Sequence, residues 1–391
     1  MDYPLSSDLF RAYFSARRNK RSTNDQLAFE VNYENNLFTL LKELQERTYK
    51  ISKSICFIIF SPVQREIFAG NFRDRVIHHL VFTYINPFFE RIFIHDSYSC
   101  RIGKGTLYGI KRINHFIRSC SQNYTKDCYI LKLDIKGYFM AIDQNILYKR
   151  TKETLDGFQK EMDFDYSFIL WLIKKIIFHD PVTNCFIKGK KSDWNGLPQS
   201  KSLFCAKKYK GLPIGNLTSQ LFGNVYLNDL DHFVKQKLNC RYYGRYVDDF
   251  VIIHNDKEYL KSIISLIKKY LQTHLQLEVH PNKIYLQHYS KGVPFLGSII
   301  KPYRIYIRNR TKGNFYQTIQ KWNNIFKAQN YKFSSKEWVQ FLSSINSYLG
   351  TMKHFHTYKL RKKMLLTYLS AYFWNFVYIS NNYGKLVMKR N

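Results

Sequence analysis

Residues 241–256 read RYYGRYVDDFVIIHND. Aromatic and β-branched residues fill 241–246 and 250–254, as suits a pleated, half-buried surface. Between them stand Val247, Asp248 and Asp249, so the pattern predicts a hairpin with an acidic pair at its turn. Carboxylates bracketed by apolar strand residues are costly unless a cation or hydrogen bonds satisfy them. Adjacent strand residues face opposite sides, so both carboxylates reach one ion only where the turn bends the backbone.

Upstream, residues 128–139, CYILKLDIKGYF, alternate in polarity and predict a strand with Asp134 near its end. Asp134, Asp248 and Asp249 would make an all-oxygen site suited to Mg2+, with Mn2+ as a possible substitute, if the two strands are neighbours. Two such ions activate an attacking hydroxyl and stabilise a leaving pyrophosphate. Taken alone, an acidic pair after a tyrosine is more commonly a polar hairpin turn, and Asp134 alone is also a weak signal. What adds weight is the order: an aspartate strand, a Gly-started helix, then the acidic hairpin. The helix is 216–238, NLTSQLFGNVYLNDLDHFVKQKL, with capping residues Asn216, Thr218 and Ser219 and with Leu217, Leu221, Leu230, Val234 and Leu238 on a helical period.

Elsewhere the pattern predicts helices up to residue 50, on Leu37, Leu41 and Leu44, with Arg17, Arg18, Lys20 and Arg21 as a solvated or RNA-facing cluster. Short β-type runs begin at residue 51, with a turn signal at Ser61-Pro62. Residues 73–93 and 145–178 read as helix, 293–307 as two short strands around Pro302, and everything from 313 on as helical. Without repeats or a Pro-rich linker, one continuous folded unit is expected.

Lys and Arg number 61 against 29 Asp and Glu, a net charge of +32, interspersed with 31 Tyr and 31 Phe. Codon bias alone enriches such residues. Read physically, they call for a polyanionic partner, nucleic acid or an anionic membrane, and the aromatics favour base stacking beside phosphate contacts. Seven scattered cysteines without a CxxC pair point to reduced thiols in a cytoplasmic protein. The start lacks a secretory pattern, and residues 364–379 are too short and too interrupted to span a membrane, so a buried or partner-facing helix is expected there. His78, His79, His354 and His356 form no HExxH or paired Cys/His set and read as packing or RNA-contacting residues.

The segments LKLDIKGYF (131–139), GLPIGNLTSQLFGNVYLNDLD (211–231) and RYVDDF (245–250) resemble motifs A, B and C of the reverse transcriptases. Residues 65–106 look like the fingers of bacterial retroelement enzymes, and 347–364 like their thumb. The stretch Ile214-Gly215-Asn216-Leu217-Thr218-Ser219-Gln220 is similar to the IGxxxSQ form of diversity-generating retroelements, where most reverse transcriptases have QGxxxSP.

The resemblance implies an α+β right-hand polymerase with an antiparallel palm sheet. Residues 1–50 would be a helical extension, 51–298 fingers and palm (palm core 125–145 and 211–298), and 299–391 a helical thumb. It implies catalysis by Asp134, Asp248 and Asp249 with two Mg2+ ions, and a metal contact from the Ile135 carbonyl. Arg65 and Arg73 would grip the triphosphate, although Arg73 could instead pair with Asp74 or Glu66. Phe139 would be the steric gate against ribose. Ile214, Gly215 and Gln220 would line the nucleotide pocket, with relaxed fidelity where Ile214 replaces a glutamine, unless Ile214 merely packs against the helix start. Lys283 would be a general acid for pyrophosphate, or else a solvated strand residue. Residues 293–299 resemble the primer grip. Beyond it Tyr303, Arg304, Tyr306, Arg308 and Arg310 read as a nucleic-acid groove, or as a solvated edge, the last four on one face of a strand.

The implied partners are template RNA, a primer or cDNA, deoxynucleoside triphosphates, and an accessory protein or second polymerase. The implied roles are diversification or antiphage defence, and a non-catalytic RNA-binding scaffold is the reading from another class.

Overall fold

The computed structural model describes residues 5–18, 23–60 and 63–389. The chain opens with α1 (Leu5–Arg17), α2 (Asn24–Glu30) and α3 (Tyr33–Gln45). Leu37, Leu40 and Leu44 are the buried stripe of α3, so its seam runs through Leu40 instead of the expected Leu41. Arg17 pairs with Glu30 at 2.8 Å and leaves the predicted basic cluster, of which Lys20 and Arg21 lie outside the described residues. Ser61 and Pro62 also lie outside them.

Next come the hairpin of β1 (Ser54–Ile59) and β2 (Arg65–Ala69) and the long α4 (Phe72–Ile92), whose first turn is capped by the Asn71 side chain accepting from the Arg73 amide. Then follow α5 (Thr106–Cys120), β3 (Tyr129–Asp134), α6 (Tyr138–Ala141), α7 (Gln144–Asp156) and α8 (Tyr166–Ile177). The expected helix over 145–178 is therefore two. Asp165 caps the second, its carboxylate accepting from the Phe168 amide, which satisfies a donor that a continuous helix would bond internally. β4 (Cys185–Ile187) joins β1 in parallel.

After a turn-rich segment the chain forms α9 (Leu217–Tyr226) and α10 (Asn228–His232), continued by a π-helical turn to Lys237. β5 (Tyr242–Tyr246) and β6 (Asp249–His254) are the predicted hairpin, and α11 (Lys257–Leu275) packs on β6 through its buried leucine and isoleucine stripe. β7 (Tyr285–His288) completes a four-stranded sheet in the order β5-β6-β3-β7. That order makes the strand ending in Asp134 the neighbour of the strand starting at Asp249.

Residues 293–307 form three strands where two were expected: β8 (Val293–Phe295), β9 (Ser298–Lys301) and β10 (Arg304–Ile307), an antiparallel meander. β10 stops at Ile307, and α12 (Asn309–Ala328) begins two residues on. Only Arg304 and Tyr306 therefore share a strand face. Arg308 sits at the helix N-cap and Arg310 in its first turn, where the 3.6-residue period replaces the alternation.

The chain continues with α13 (Ser335–Met352) and α14 (Tyr358–Lys363), and ends in the hairpin β11 (Val377–Ser380) with β12 (Lys385–Met388). The all-helical ending expected from 313 is thus wrong in its last part. The expected helix over 364–379 is a π-helical turn, a 3₁₀ segment and the start of β11. Its aromatics serve a core: Phe373 stacks on Phe326 and Phe341, with centroids 4.2 and 4.5 Å away.

The described residues divide into two compact units. One comprises residues up to 113 with 131–286, the other 114–130 with 287 onward. Among the described residues no helix is long and apolar enough to cross a membrane.

Candidate active site

The β5–β6 hairpin pairs Tyr246 with Asp249, so Val247 and Asp248 form a two-residue turn. Val247 has a φ of 56°, a left-handed conformation that is unusual for a β-branched residue and that marks functional sites when the surroundings enforce it. The enforcement is visible. Arg245 is fully buried and donates to the Val247 carbonyl at 2.9 Å. The same guanidinium makes a bidentate pair with buried Asp231 at 2.7 and 2.6 Å, and Tyr243 donates to that carboxylate at 2.6 Å. Opposite, Gly244 leaves room for Tyr98: a Cβ there would lie 2.2 Å from the Tyr98 hydroxyl. α10 thereby fixes the turn that displays Asp248.

Asp134 ends β3. Its carbonyl accepts from the His280 amide at 2.8 Å, and the Lys136 amide donates to Glu278 at 2.9 Å. Those two bonds flank the bridge between Ile135 and Val279, which makes it a non-hydrogen-bonded pair, so the Ile135 carbonyl points away from Val279.

The electrostatics join the three aspartates. Desolvation raises the Asp248 carboxyl to about 6, and the charges of Asp134 and Asp249 push the same way, with Lys283 opposing. Lys283 is ion-paired with Asp134, and Lys132 lies 3.1 Å from Asp249. Three carboxylates and a carbonyl are hard oxygen donors of the kind divalent cations take, and the mutual repulsion at Asp248 is what such a cation relieves. Among the described residues no group of three His, Cys, Asp or Glu side chains stands ready for a metal ion as placed. Lys283 and Lys132 lie on two of the carboxylates instead, so a cation would have to displace them.

Phe139 is half-buried on α6 and tied to the turn before α9, since its carbonyl accepts from the Leu212 amide at 2.8 Å and its ring would be 3.4 Å from a Cβ at Gly223. Gly215 has a φ of +135°, and a Cβ on it would meet the Phe68 carbonyl at 2.9 Å. That close approach lets the Ile214 carbonyl accept from the Phe68 amide at 2.9 Å, while the Ile214 side chain packs against the small cluster of Cys56, Phe68, Met140 and Leu203. Gln220 is exposed in the first turn of α9. Asn216 stands at the N-cap of α9, but its side chain makes no capping bond and accepts from the Gly70 amide at 3.2 Å instead.

Arg65 is exposed at the start of β2. Arg73 differs from both expected pairings, because its guanidinium is ion-paired with Glu43 on α3 and lies over the Tyr49 ring. Its two expected partners are taken. Glu66 accepts from Trp194, Ser202 and the Leu203 amide, and Asp74 accepts from Tyr49 and the Ser52 amide. Tyr303, Arg304, Tyr306, Arg308 and Arg310 belong to the second unit.

Sequence reasoning missed Lys132, Arg245 and Asp231. Lys132 was legible, since a Lys-x-Asp spacing on a strand puts Lys132 and Asp134 on one face. Arg245 stood inside an aromatic strand run, where a buried charge calls for a partner, but the partner lies on another element.

Residues 64–300 match the family model described as reverse transcriptase (RNA-dependent DNA polymerase). Protein YkfC of Escherichia coli (strain K12) is 21% identical over 257 residues, covering 58% of this chain and 60% of that protein. Apo telomerase from Candida tropicalis, truncated from its C-terminal domain, is similar at a TM-score of 0.47 and 14% identity, covering 66% of this chain and 55% of that one. Telomerase from Candida albicans in complex with a telomeric RNA fragment is similar at 0.45 and 12%, covering 83% and 62%. The chain thus spans about half to three fifths of the length of these relatives.

Proposed function

The chain belongs to the reverse transcriptase family, and we propose that it polymerises deoxynucleotides on an RNA template at Asp134, Asp248 and Asp249. The observation that supports this best is the strand order, which sets Asp134 on β3 beside the β5–β6 turn that carries Asp248 and Asp249; burial raises Asp248 to about 6 there, and the charges of Asp134 and Asp249 add to that rise.

In this reading a primer 3′-oxygen attacks the α-phosphorus of a deoxynucleoside triphosphate, and the bond to the bridging oxygen breaks to release pyrophosphate. Asp134, Asp248, Asp249 and the Ile135 carbonyl would hold divalent cations, Mg2+ with Mn2+ as a substitute. Those ions, when bound, supply activation of the hydroxyl and neutralisation of the developing phosphate charge. Lys283 leaves Asp134 and gives its proton to the departing pyrophosphate. Arg65 takes the triphosphate, joined by Arg73 once Glu43 releases it. Phe139 bars a ribose 2′-hydroxyl, and Gly215, Gln220 and Ile214 shape the pocket around the incoming base. Residues 51–298 would act as fingers and palm, and 299–391 as thumb.

The role is that of a retroelement enzyme copying a structured RNA, with the IGxxxSQ segment supporting a diversity-generating element and its accessory protein. Antiphage defence from a dedicated RNA, beside a second polymerase, is the competing role. Primer extension on a defined RNA template tests the reaction, and sequencing its products tests the role. Errors concentrated opposite template adenines support diversification, whereas a defined, accurate or repetitive product supports defence. Absence of any product, with the protein's own co-purified RNA as template, would leave the scaffold reading.

A further inference from the structure

The second unit contains a groove that has no part in the reaction above. Its deeper half is a cavity of about 490 Å3 lined by Arg118, Asn123, Tyr124, Tyr303, Arg304 and their neighbours. It continues past Phe355 and His356 to a shallower half lined by Tyr358, Lys359 and Arg361. Among the described residues lining either half there is no carboxylate.

The arginines lack anionic partners. Arg118 donates to the Asn123 side chain at 3.1 Å, and Arg304 to the His356 carbonyl at 3.4 Å; among the described residues neither is ion-paired. Arg361 is the sharper case. It is only 7% exposed, its guanidinium meets the Asn382 carbonyl at 3.0 Å, and its Nε has no hydrogen-bond partner among the described residues. A buried cation without a counter-charge is costly, and an anion in the groove would supply that charge.

The backbone is left-handed at this place, as it also is over Asn381, Asn382 and Tyr383. Gln122, Asn123 and Tyr124 are left-handed in succession, with φ of 49°, 57° and 71°, and Tyr303 is left-handed at 61°. Apart from Asn123, these are residue types that rarely adopt that conformation, and strain of this kind marks functional sites when the surroundings enforce it. Its result is a pair of rings, Tyr124 and Tyr303, with centroids 4.7 Å apart, of which Tyr303 is 83% exposed. The volume suits one nucleotide in the deeper half, within the roughly 300–1,000 Å3 of small-ligand sites.

We propose that this groove is a second nucleic-acid site, holding an unpaired stretch of a polynucleotide with a base on the Tyr124–Tyr303 rings and phosphates on Arg118, Arg304 and Arg361. It rests on the reading of the chain as a polymerase working on nucleic acid. It is separate from the primer-grip segment, because the Pro302-Tyr303 turn and the Leu296-Gly297 turn lie at opposite ends of β9. Such a site anchors a flanking region of the copied strand while synthesis proceeds elsewhere.

The test is fluorescence anisotropy of a labelled single-stranded oligonucleotide, as RNA and as DNA, with the full chain across a salt series. The variants are Tyr303→Ala, Arg118→Gln with Arg304→Gln, and Arg361→Gln. Since Arg361 is buried, its variant is checked by circular dichroism, and the two exposed sets decide. Tyr303→Ala is expected to weaken binding about 5- to 100-fold, the range of one lost stacking contact. Each lost arginine is expected to make the log–log salt slope shallower by about 0.7. Photocrosslinks from a 4-thiouridine RNA are expected on peptides containing Tyr124, Tyr303 or Phe355. Losses confined to RNA identify an RNA strand, and equal losses identify a site open to either strand. Wild-type affinity and slope in both exposed sets, with crosslinks elsewhere, overturn the site. Primer extension by the unaltered chain is run on the same preparation: extension alongside that result overturns only this site, whereas neither extension nor oligonucleotide binding overturns the polymerase reading as well.

Discussion

Lys132 and Lys283 are ion-paired with two of the three aspartates, Asp249 and Asp134. The contact from Lys132 to Asp249 is half-buried, so its Coulombic worth is modest, up to about 1 kcal/mol. Removing the competing charge by Lys132→Gln is expected to tighten Mn2+ binding up to about fivefold, read by electron paramagnetic resonance of the free ion. Weaker Mn2+ binding in that variant would mean that the lysine aligns Asp249 instead of competing for it. At the same scale, Gly215→Ala puts a Cβ 2.9 Å from the Phe68 carbonyl at a φ that L residues avoid. A loss of about 1–3 kcal/mol in urea unfolding is expected, from overpacking and strain together. Of the residue readings, the alternation in 128–134 made Asp134 legible, and the acidic pair between two β-type runs made Asp248 and Asp249 legible. The partner of Arg73 was not, because Glu43 lies thirty residues away on α3 and no local pattern links them.

Among elements, the hairpin and the helix before it act as one piece. Arg245 on β5 and Asp231 on α10 are both fully buried and satisfy each other. Arg245→Met strands the Asp231 charge, and a loss of about 3–5 kcal/mol is expected by denaturant unfolding. The double change Arg245→Met with Asp231→Leu is expected to recover most of it; a double variant as unstable as the single would show that the hairpin turn, and not the stranded charge, is what fails. α4 and α9 are joined by buried His78, whose ring nitrogen lies 2.7 Å from the Thr218 hydroxyl. Burial lowers its pKa from the ordinary 6.5 to about 3. Between those values the unfolded chain binds the proton and the folded chain does not, so stability falls as pH drops from 6.5 toward 3. His78→Asn is expected to flatten that acid limb of the unfolding curve, and an unchanged limb would place the titration elsewhere. Element types with strong periods were readable, among them α9 and the β5–β6 hairpin. The boundaries that failed have local causes: Asp165 caps a second helix, Pro302-Tyr303 turns β9 into β10, and Phe373 leaves the helical path to stack in the core of the second unit.

For the whole molecule, the net charge of +32 is the property that a polyanion would read first. Binding to an RNA–DNA duplex is expected to weaken roughly 10³-fold or more between about 50 and 200 mM salt, the behaviour of a protein neutralising several phosphates. A shallow salt dependence would assign the charge to something other than nucleic acid. The overall α+β class was legible from the order of strand and helix signals, and the division into two units was not, because residues 114–130 join the C-terminal part through contacts that no linker composition announces. The central claim, that Asp134, Asp248 and Asp249 together join deoxynucleotides on RNA, meets its most direct test in primer extension with Mg2+ on a defined RNA template. The unaltered chain is compared with Asp134→Asn, Asp248→Asn and Asp249→Asn, each folded by circular dichroism and still binding the primer–template. Extension by the unaltered chain and about a hundredth of it or less in each variant is the predicted result; variants that extend at the unaltered rate would contradict the account.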